Sequence, residues 1–440
     1  MKTQCLSTLA GRVLMAALIL VAMTSPVSAQ LADTVWPMFQ HDARHTGRSA
    51  GLGPVSPFQV KFVQLGVKIK AQPSIGEDGS IYVGVGWKFC AVSPSLAVHP
   101  CTKLPSDISA STVAIDVNKF AYLGDRNNSV SGFSWNGSSP PKLECRYNHG
   151  HEGDVNTSPA IGLNGTVYFA QGQSQYGLGP VVAIEPAPDC GVPPVGDASG
   201  EKWHIKADTT IGSSSPAVVK EANGTFLYIG DNSGFVHKYQ DCLEPFTATS
   251  PCSGPGVADV VEVWDPPVRI GSKVRASPVI GDDGTVFIGS SNGFMALDPE
   301  TGAILDTFDT GGFVTSTAAL AADGTLYVGS QSAGKKKYLF ALKWSGSELT
   351  KYWMFGPVTS EADMSPFPVV GGDGIVYATI GRGVYAIAKA AGANATATVL
   401  WSYTLPSLSL NHPAIGGTAN ERILYVTTSS GRLYKFSSPR

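Results

Sequence analysis

One short phrase occurs eight times in this chain and limits the folds open to it. Its clearest copy reads ASPVIGDDGTVFIGS at residues 276–290. Others are QPSIGEDGSIYVG at 72–84, SPAIGLNGTVYFA at 158–170 and SPAVVKEANGTFLYIG at 215–230. TAALAADGTLYVG at 317–329 and FPVVGGDGIVYA at 367–378 follow, with two worn copies at 112–124 and 412–426. The position of Pro278 recurs at Pro73, Val113, Pro159, Pro216, Ala318, Pro368 and Pro413. The mean interval is about 49 residues, in the range of propeller blades rather than helical solenoids.

Each copy divides into a short strand, a turn and a second strand. Asp282–Thr285 and Ala322–Thr325 carry the glycine that a tight hairpin turn needs. These turns lack the acidic spacing and final Glu of a calcium loop. The VFI and LYV pieces that follow are β-branched and aromatic, as strands are. They are apolar at nearly every position, which predicts sheets covered on both faces, as stacked blades are. A third strand follows (GFMALD, KYLFALK, GVYAIA), then a fourth marked by Trp203, Trp264, Trp353 or Trp401. The Ser-Ala-Pro content of the first strands suits a crowded position around a central channel. The eighth copy supplies three strands, and PFQVKFVQL at 57–65 reads as the fourth. The expected fold is therefore an all-β, eight-bladed propeller of four-stranded antiparallel blades, closed three-plus-one by an N-terminal strand. Seven blades is the alternative, if residues 112–124 are an irregular connection.

Residues 1–29 read as an export signal: Lys2 and Arg12, an apolar run at 13–23, and Val27-Ser28-Ala29 as the cleavage site. That run is too short to span a bilayer, which takes roughly 20 residues. The reading is a chain exported to the periplasm or beyond, soluble after cleavage near Ala29 and without a transmembrane anchor. Residues 30–56 form a seam segment and 57–440 a single propeller, expected as a monomer. The signal carries two of the 31 basic residues and none of the 34 acidic ones, so the remainder has a net charge of about −5. No basic stripe appears, which argues against a nucleic-acid partner. Lys335, Lys336 and Lys337 read as a solvated hairpin tip.

Six cysteines lie beyond the signal, an even number that favours disulfides in an exported chain. Fifteen pairings are possible. Proximity favours Cys90 with Cys101 and Cys242 with Cys252, leaving Cys145 with Cys190 to join neighbouring blades.

The repeated phrase and the segment WPMFQHDARHTG at 36–47 together resemble the pyrroloquinoline-quinone-like (PQQ-like) β-propeller repeat proteins, over nearly the whole chain beyond the signal. That resemblance implies an eight-bladed propeller. The family includes quinoprotein alcohol dehydrogenases, an outer-membrane assembly lipoprotein and members with no assigned activity. The dehydrogenases hold PQQ and calcium in the channel with an adjacent-cysteine disulfide and a stacking Trp. They also repeat a docking motif ending in Trp. Residues 296–306 match that motif once, with Asp306 in the place of the Trp, and no two cysteines are adjacent. The lipoprotein's lipidated cysteine is also missing, since Cys5 precedes the apolar run.

The expected function is therefore an exported, non-catalytic binding or scaffold module for a protein, peptide or glycan, with no cofactor. The alternative is a PQQ-dependent alcohol or sugar oxidoreductase with a divergent site and calcium. Three places could hold a ligand. The residue three before each repeat proline would form a ring near one channel mouth, where Lys70, Asn156 and Arg275 are the groups suited to an anion. His149, His151 and Glu152 could bind a divalent metal. The favoured place is the loop face carrying the Cys90–Cys101 and Cys242–Cys252 segments, because loops on a rigid scaffold commonly carry function. His41 and His45 are expected to pack at the seam. The phrase itself reads as framework, with activity in what departs from it.

Overall fold

The computed structural model describes residues 31–439, apart from 33, 109–110, 149–152, 173–178, 192–199, 207–210, 254–255 and 418–419. The strands form eight antiparallel sheets, one for each copy of the phrase. Numbered by their innermost strands, blades 1 to 8 begin at Ser74–Ile75, Ala114–Ile115, Ala160–Ile161, Ala217–Glu221, Val279–Ile280, Ala319–Leu320, Phe367–Val370 and Ala414–Ile415. The worn copy at 112–124 builds a complete blade 2, so the count is eight. Blade 4 carries an additional short strand, Val268–Arg269, paired to its third strand. Gln59–Gln64 pairs antiparallel with Arg432–Pro439 and forms the outer strand of blade 8. The propeller is thus closed three-plus-one. Among the described residues no helix is long and apolar enough to cross a membrane.

The phrase explains itself once the blades are stacked. The second strands, such as Val286–Ser290 and Val376–Ile380, are buried at every position. Their tyrosines are pinned by the next blade: Tyr168 donates to Asp241 Oδ2 at 2.7 Å, and Tyr122 accepts from the Ala187 amide at 2.8 Å. Outer-strand tryptophans pack on the tyrosine of their own blade. Trp203–Tyr168, Trp264–Tyr228, Trp353–Tyr327 and Trp401–Tyr377 have ring centroids 5.4–6.0 Å apart. Trp264 does so from just beyond its strand, Val260–Glu262. The glycine closing the phrase leaves room for the next blade's connector. A Cβ on Gly289 would lie 2.1 Å from Val314 Cγ1, and one on Gly230 would lie 2.3 Å from Val274 Cγ1.

The residue before the repeat proline has a separate task. The Gln72 amide donates to Thr112 Oγ1 at 3.2 Å, and the Thr112 amide to Ser158 Oγ at 3.0 Å. Ser158 donates in turn to Ser215 Oγ at 2.9 Å, Ser215 to Ser277 Oγ at 2.8 Å, and Ser277 to Thr317 Oγ1 at 3.0 Å. Five successive blade junctions from blade 1 to blade 6 are tied by one repeated bond. The belt stops where Phe367 and His412 replace the hydroxyl residue.

The lysine tip differs from expectation. Lys335 pairs with Glu361 at 2.8 Å, but Lys337 is buried and its amine has no hydrogen-bond partner among the described residues. It belongs to the third strand of blade 6, Lys336–Trp344, where strand alternation turns it inward while Lys336 stays exposed. Burial pushes its ammonium below the ordinary lysine value.

Candidate functional site

The segment ahead of the first blade makes a full circuit of the channel. Trp36 O accepts from the Ile75 amide of blade 1 and Pro37 O from Ile115 of blade 2. Met38 packs in the core cluster that holds Ala160 and Ile161 of blade 3. Ala43 O accepts from Val218 of blade 4, Arg44 O from Ile280 of blade 5, and Thr46 O from Leu320 of blade 6. Gly47 O accepts from Val370 of blade 7, and Leu52 O from Ile423 of blade 8. This strap was expected to be a seam segment; it bonds to seven of the eight blades and packs into the core that blade 3 shares.

Within the circuit, residues 38–47 fold inward and cross the axis. Asp42 organises the knot by accepting from the Arg44 amide at 3.0 Å, the Thr46 amide at 3.1 Å and the Thr46 hydroxyl. Burial opposes its charge, but hydrogen bonds from His41 and Thr46 hold its carboxyl below the ordinary range. Gln40, His41 and His45 take positive φ (53°, 74° and 58°), an uncommon conformation for side chains of this size. Gln40 then reaches across the channel. Its amide meets Gln72 Oε1 of blade 1 at 3.0 Å, and its Nε2 donates to Ala318 O of blade 6 at 3.1 Å. Phe39 lies edge-on between His45 and His412, with centroids 5.2 and 5.5 Å away. His45 Nδ1 donates to Pro278 O at 3.0 Å, and His412 Nε2 donates to Thr317 O at 3.0 Å. Burial keeps both imidazoles neutral, with pKa values lowered to about 4 and about 3.

The plug turns the channel into a cup. Its cavity of about 340 Å³ has Phe39 and His412 at the plugged end and is lined by Ser158, Ser215, Ser277 and Thr317. Each hydroxyl already accepts one amide of the belt. Among the described residues none of the four has an acceptor for its own hydrogen, which leaves a donor available to the cavity. Lys70, Asn156 and Arg275 line the same cavity, so the ring inferred from spacing surrounds a real space. Blades 7 and 8 contribute an apolar side of Met364, Phe367 and Leu410. A second cleft of about 310 Å³ shares Asn156, Ser213, Arg275, Thr315 and Met364 and adds Lys273, Asn232, Gly172 and Gly212.

The electrostatics are one-sided. No carboxylate lines the cup among the described residues. Burial and the neighbouring charges of Lys68 and Arg126 push the Lys70 ammonium below its ordinary value. Arg126 is neutralised by Asp154 at 3.4 Å, whereas Lys68, Lys70, Lys273 and Arg275 have no ion-pair partner among the described residues. A net-negative chain therefore gathers cations at one channel mouth, only partly offset at Lys70 by the Asp107 carboxylate, an arrangement that concentrates anions.

The three disulfides join Cys90–Cys101, Cys145–Cys190 and Cys242–Cys252, the second linking blades 2 and 3. Cys101, Cys190 and Cys252 all follow third strands, and such loops emerge on the face of the first hairpin turns and the strap. The cup is built from connectors entering the first strands and opens on the opposite face. The two candidate places thus lie at opposite ends of the channel. His149, His151 and Glu152 lie outside the described residues. Among the described residues no group of three or more His, Cys, Asp or Glu could hold a metal. Spacing found Lys70, Asn156 and Arg275 but missed Phe39, Met364, Phe367 and the belt hydroxyls. The common phase of Ser158, Ser215, Ser277 and Thr317 in the phrase was the signal that could have revealed the last.

PQQ with calcium can be tested against this lining. Lys70 and Arg275 suit the carboxylates of the quinone. Calcium takes 6–8 oxygen ligands, usually with carboxylates among them, and the described lining supplies two cations and no carboxylate. The cup fits an anion and does not fit the cation.

No protein-family model and no curated protein sequence matches this chain. Solved structures do. Quinohemoprotein alcohol dehydrogenase from Comamonas testosteroni superposes with a TM-score of 0.67 at 12% identity, over 91% of this chain and 80% of that one. A europium-containing methanol dehydrogenase gives 0.60 at 12%, over 92% and 98%. BamB from Moraxella catarrhalis gives 0.59 at 13%, over 86% and 99%. At such identities the likeness concerns fold, and it spans enzymes as well as BamB. With eight four-stranded blades around one axis, the chain has the PQQ-type propeller fold.

Proposed function

We propose that this chain is an exported, non-catalytic binding propeller that holds an anionic ligand in its plugged channel. One observation carries the reading: Lys70 and Arg275 line a closed-ended cavity with no carboxylate among its described lining residues. The hydroxyl belt supplies neutral donors beside these charges, and Phe367, Met364 and Leu410 supply an apolar side. Binding sites commonly combine such an apolar wall with a few convergent polar groups. The test compares 3-phenylpropionate with its uncharged amide by calorimetry and thermal shift. The acid is expected to bind and stabilise, less so in Arg275→Gln and as salt is raised. Equal effects of acid and amide would remove the reading.

A quinoprotein oxidoreductase is the second reading, favoured by the fold and by the fact that PQQ is itself a polycarboxylate. It predicts an absorbance change on adding PQQ and calcium, with dye-linked alcohol oxidation. PQQ bound without calcium dependence or turnover would mark it as one more anion.

A further inference from the structure

The shape of the cup restricts what kind of anion it can take. A channel open at both ends accepts a polymer threaded through it. Here Gln40 bridges blade 1 to blade 6 and Phe39 sits between His45 and His412, so a chain can enter only by an end. The end must be negative to meet Lys70 and Arg275. The wall of Met364, Phe367 and Leu410 offers no hydrogen bonds from its side chains, and the neighbouring Asn411 and His412 are already bonded to Lys70 O and Thr317 O, so this wall favours an apolar group. An acidic sugar would lay its hydroxyls against that side, where no side chain pairs with them and little apolar surface is covered.

The surroundings continue the same logic. The cleft adjoining the cup runs over blades 3 to 5 and is lined by Gly172, Gly212, Asn232 and Lys273. Asn156 and Asn232 at its wall present side-chain amides, the groups that pair with a peptide backbone, while the Gly172 amide is already bonded to Asp154 O. Two large apolar residues stand exposed in the connectors that lead to the lining. Val67 is three residues before Lys70, and Phe313 is two before Thr315. A small free anion has no use for an amide-lined exit or an apolar rim.

We infer that the cup receives the free carboxyl terminus of a peptide or protein whose last residue is large and apolar, with the chain leaving through the cleft of blades 3 to 5. The inference rests on the cup being an anion site and goes further by naming the anion. Lys70 and Arg275 receive the carboxylate, the apolar side receives the terminal side chain, and Asn156 and Asn232 receive the preceding amides.

The test uses fluorescence polarisation with the full chain after signal removal and a labelled peptide, Gly-Ser-Gly-Ser-Phe, as the free acid and as the C-terminal amide. The acid is expected to bind roughly tenfold to a hundredfold more tightly, the range of a charge-assisted hydrogen-bonded pair. Arg275→Gln, at an exposed residue whose loss leaves the blades intact, is expected to bring acid and amide together. Changing the last peptide residue from Phe to Asp is expected to abolish binding despite the added charge. Equal affinity for acid and amide overturns the inference, as does tighter binding of the Asp peptide. If 3-phenylpropionate binds but no free-acid peptide does, the terminus is wrong and the anion reading stands. If neither binds, both fall.

Discussion

Histidines set opposite limits on the stability of this molecule. His237 is buried between two carboxylates, with Nδ1 2.7 Å from Glu262 Oε1 and Nε2 3.2 Å from Asp231 Oδ2, and its ring stacks on Tyr239. Burial disfavours its charge, but the hydrogen bonds to Asp231 and Glu262 outweigh that and raise its pKa to about 9. A shift of that size from 6.5 is worth on the order of 3 kcal/mol. It is fully present below the unfolded value of about 6.5 and is lost as pH rises through 9. His45 and His412 work the other way. Burial lowers them to about 4 and about 3, against weak support from Pro278 O and Asp42 for His45 and from Thr317 O for His412. In the unfolded chain both take up a proton below about pH 6.5, so their contribution is lost as pH falls below it. Urea midpoints are therefore expected to peak near pH 6.5. His237→Gln should flatten the alkaline limb by about one proton and leave the acid limb in place. An unchanged alkaline limb would mean that His237 is not charged in the fold.

The inner strand shows how much one side chain of the phrase can do. Ser215 Oγ accepts the buried Ser158 amide, while the Ser215 amide donates to Ser277 Oγ. Ser215→Ala leaves the Ser158 amide without a partner and is expected to cost about 1–3 kcal/mol. Ser215→Thr, which keeps the oxygen, should cost less. The urea midpoints of the two variants separate a hydrogen-bond role from a packing role, since alanine and threonine differ from serine in opposite senses of size. Strand order, burial of the second strands and closure through Gln59–Gln64 could all be read from periodicity, because each depends on the local pattern of one copy. The belt could not. Serine in the inner strand reads as a small residue in a crowded place, and its bond exists only because a neighbouring blade places the same residue alongside. The cup was legible by half for the same reason. Lys70, Asn156 and Arg275 share a repeat register, whereas Phe39 comes from a segment with no repeat to align it. The disulfide loops stand out in the sequence because they interrupt the repeat, but sequence distance does not report on which face a loop emerges.

The whole molecule is held by two closures of different kinds. Gln59–Gln64 completes blade 8 at the perimeter, while the strap binds at the axis. Deleting Ala43 would shift the later bonds to Ile280, Leu320, Val370 and Ile423 by one residue at once. At about 1 kcal/mol for each bond, a loss of roughly 3 kcal/mol or more is expected in chemical unfolding. Deleting Gly346, at an exposed turn in blade 6 where a Cβ would meet nothing within 4 Å, should change it little. Comparable losses from the two deletions would show the strap to be dispensable.

Repeat proteins gain and lose units readily, because each unit contacts only its neighbours. The strap breaks that independence. Its carbonyls are spaced to meet seven of the eight blades in order, six at the inner strand and blade 8 at the second, so a chain with seven or nine blades would find its bonds out of step around the circle. Residues 36–52 thus act as a gauge of perimeter, holding this chain at eight even though two copies of its phrase are worn.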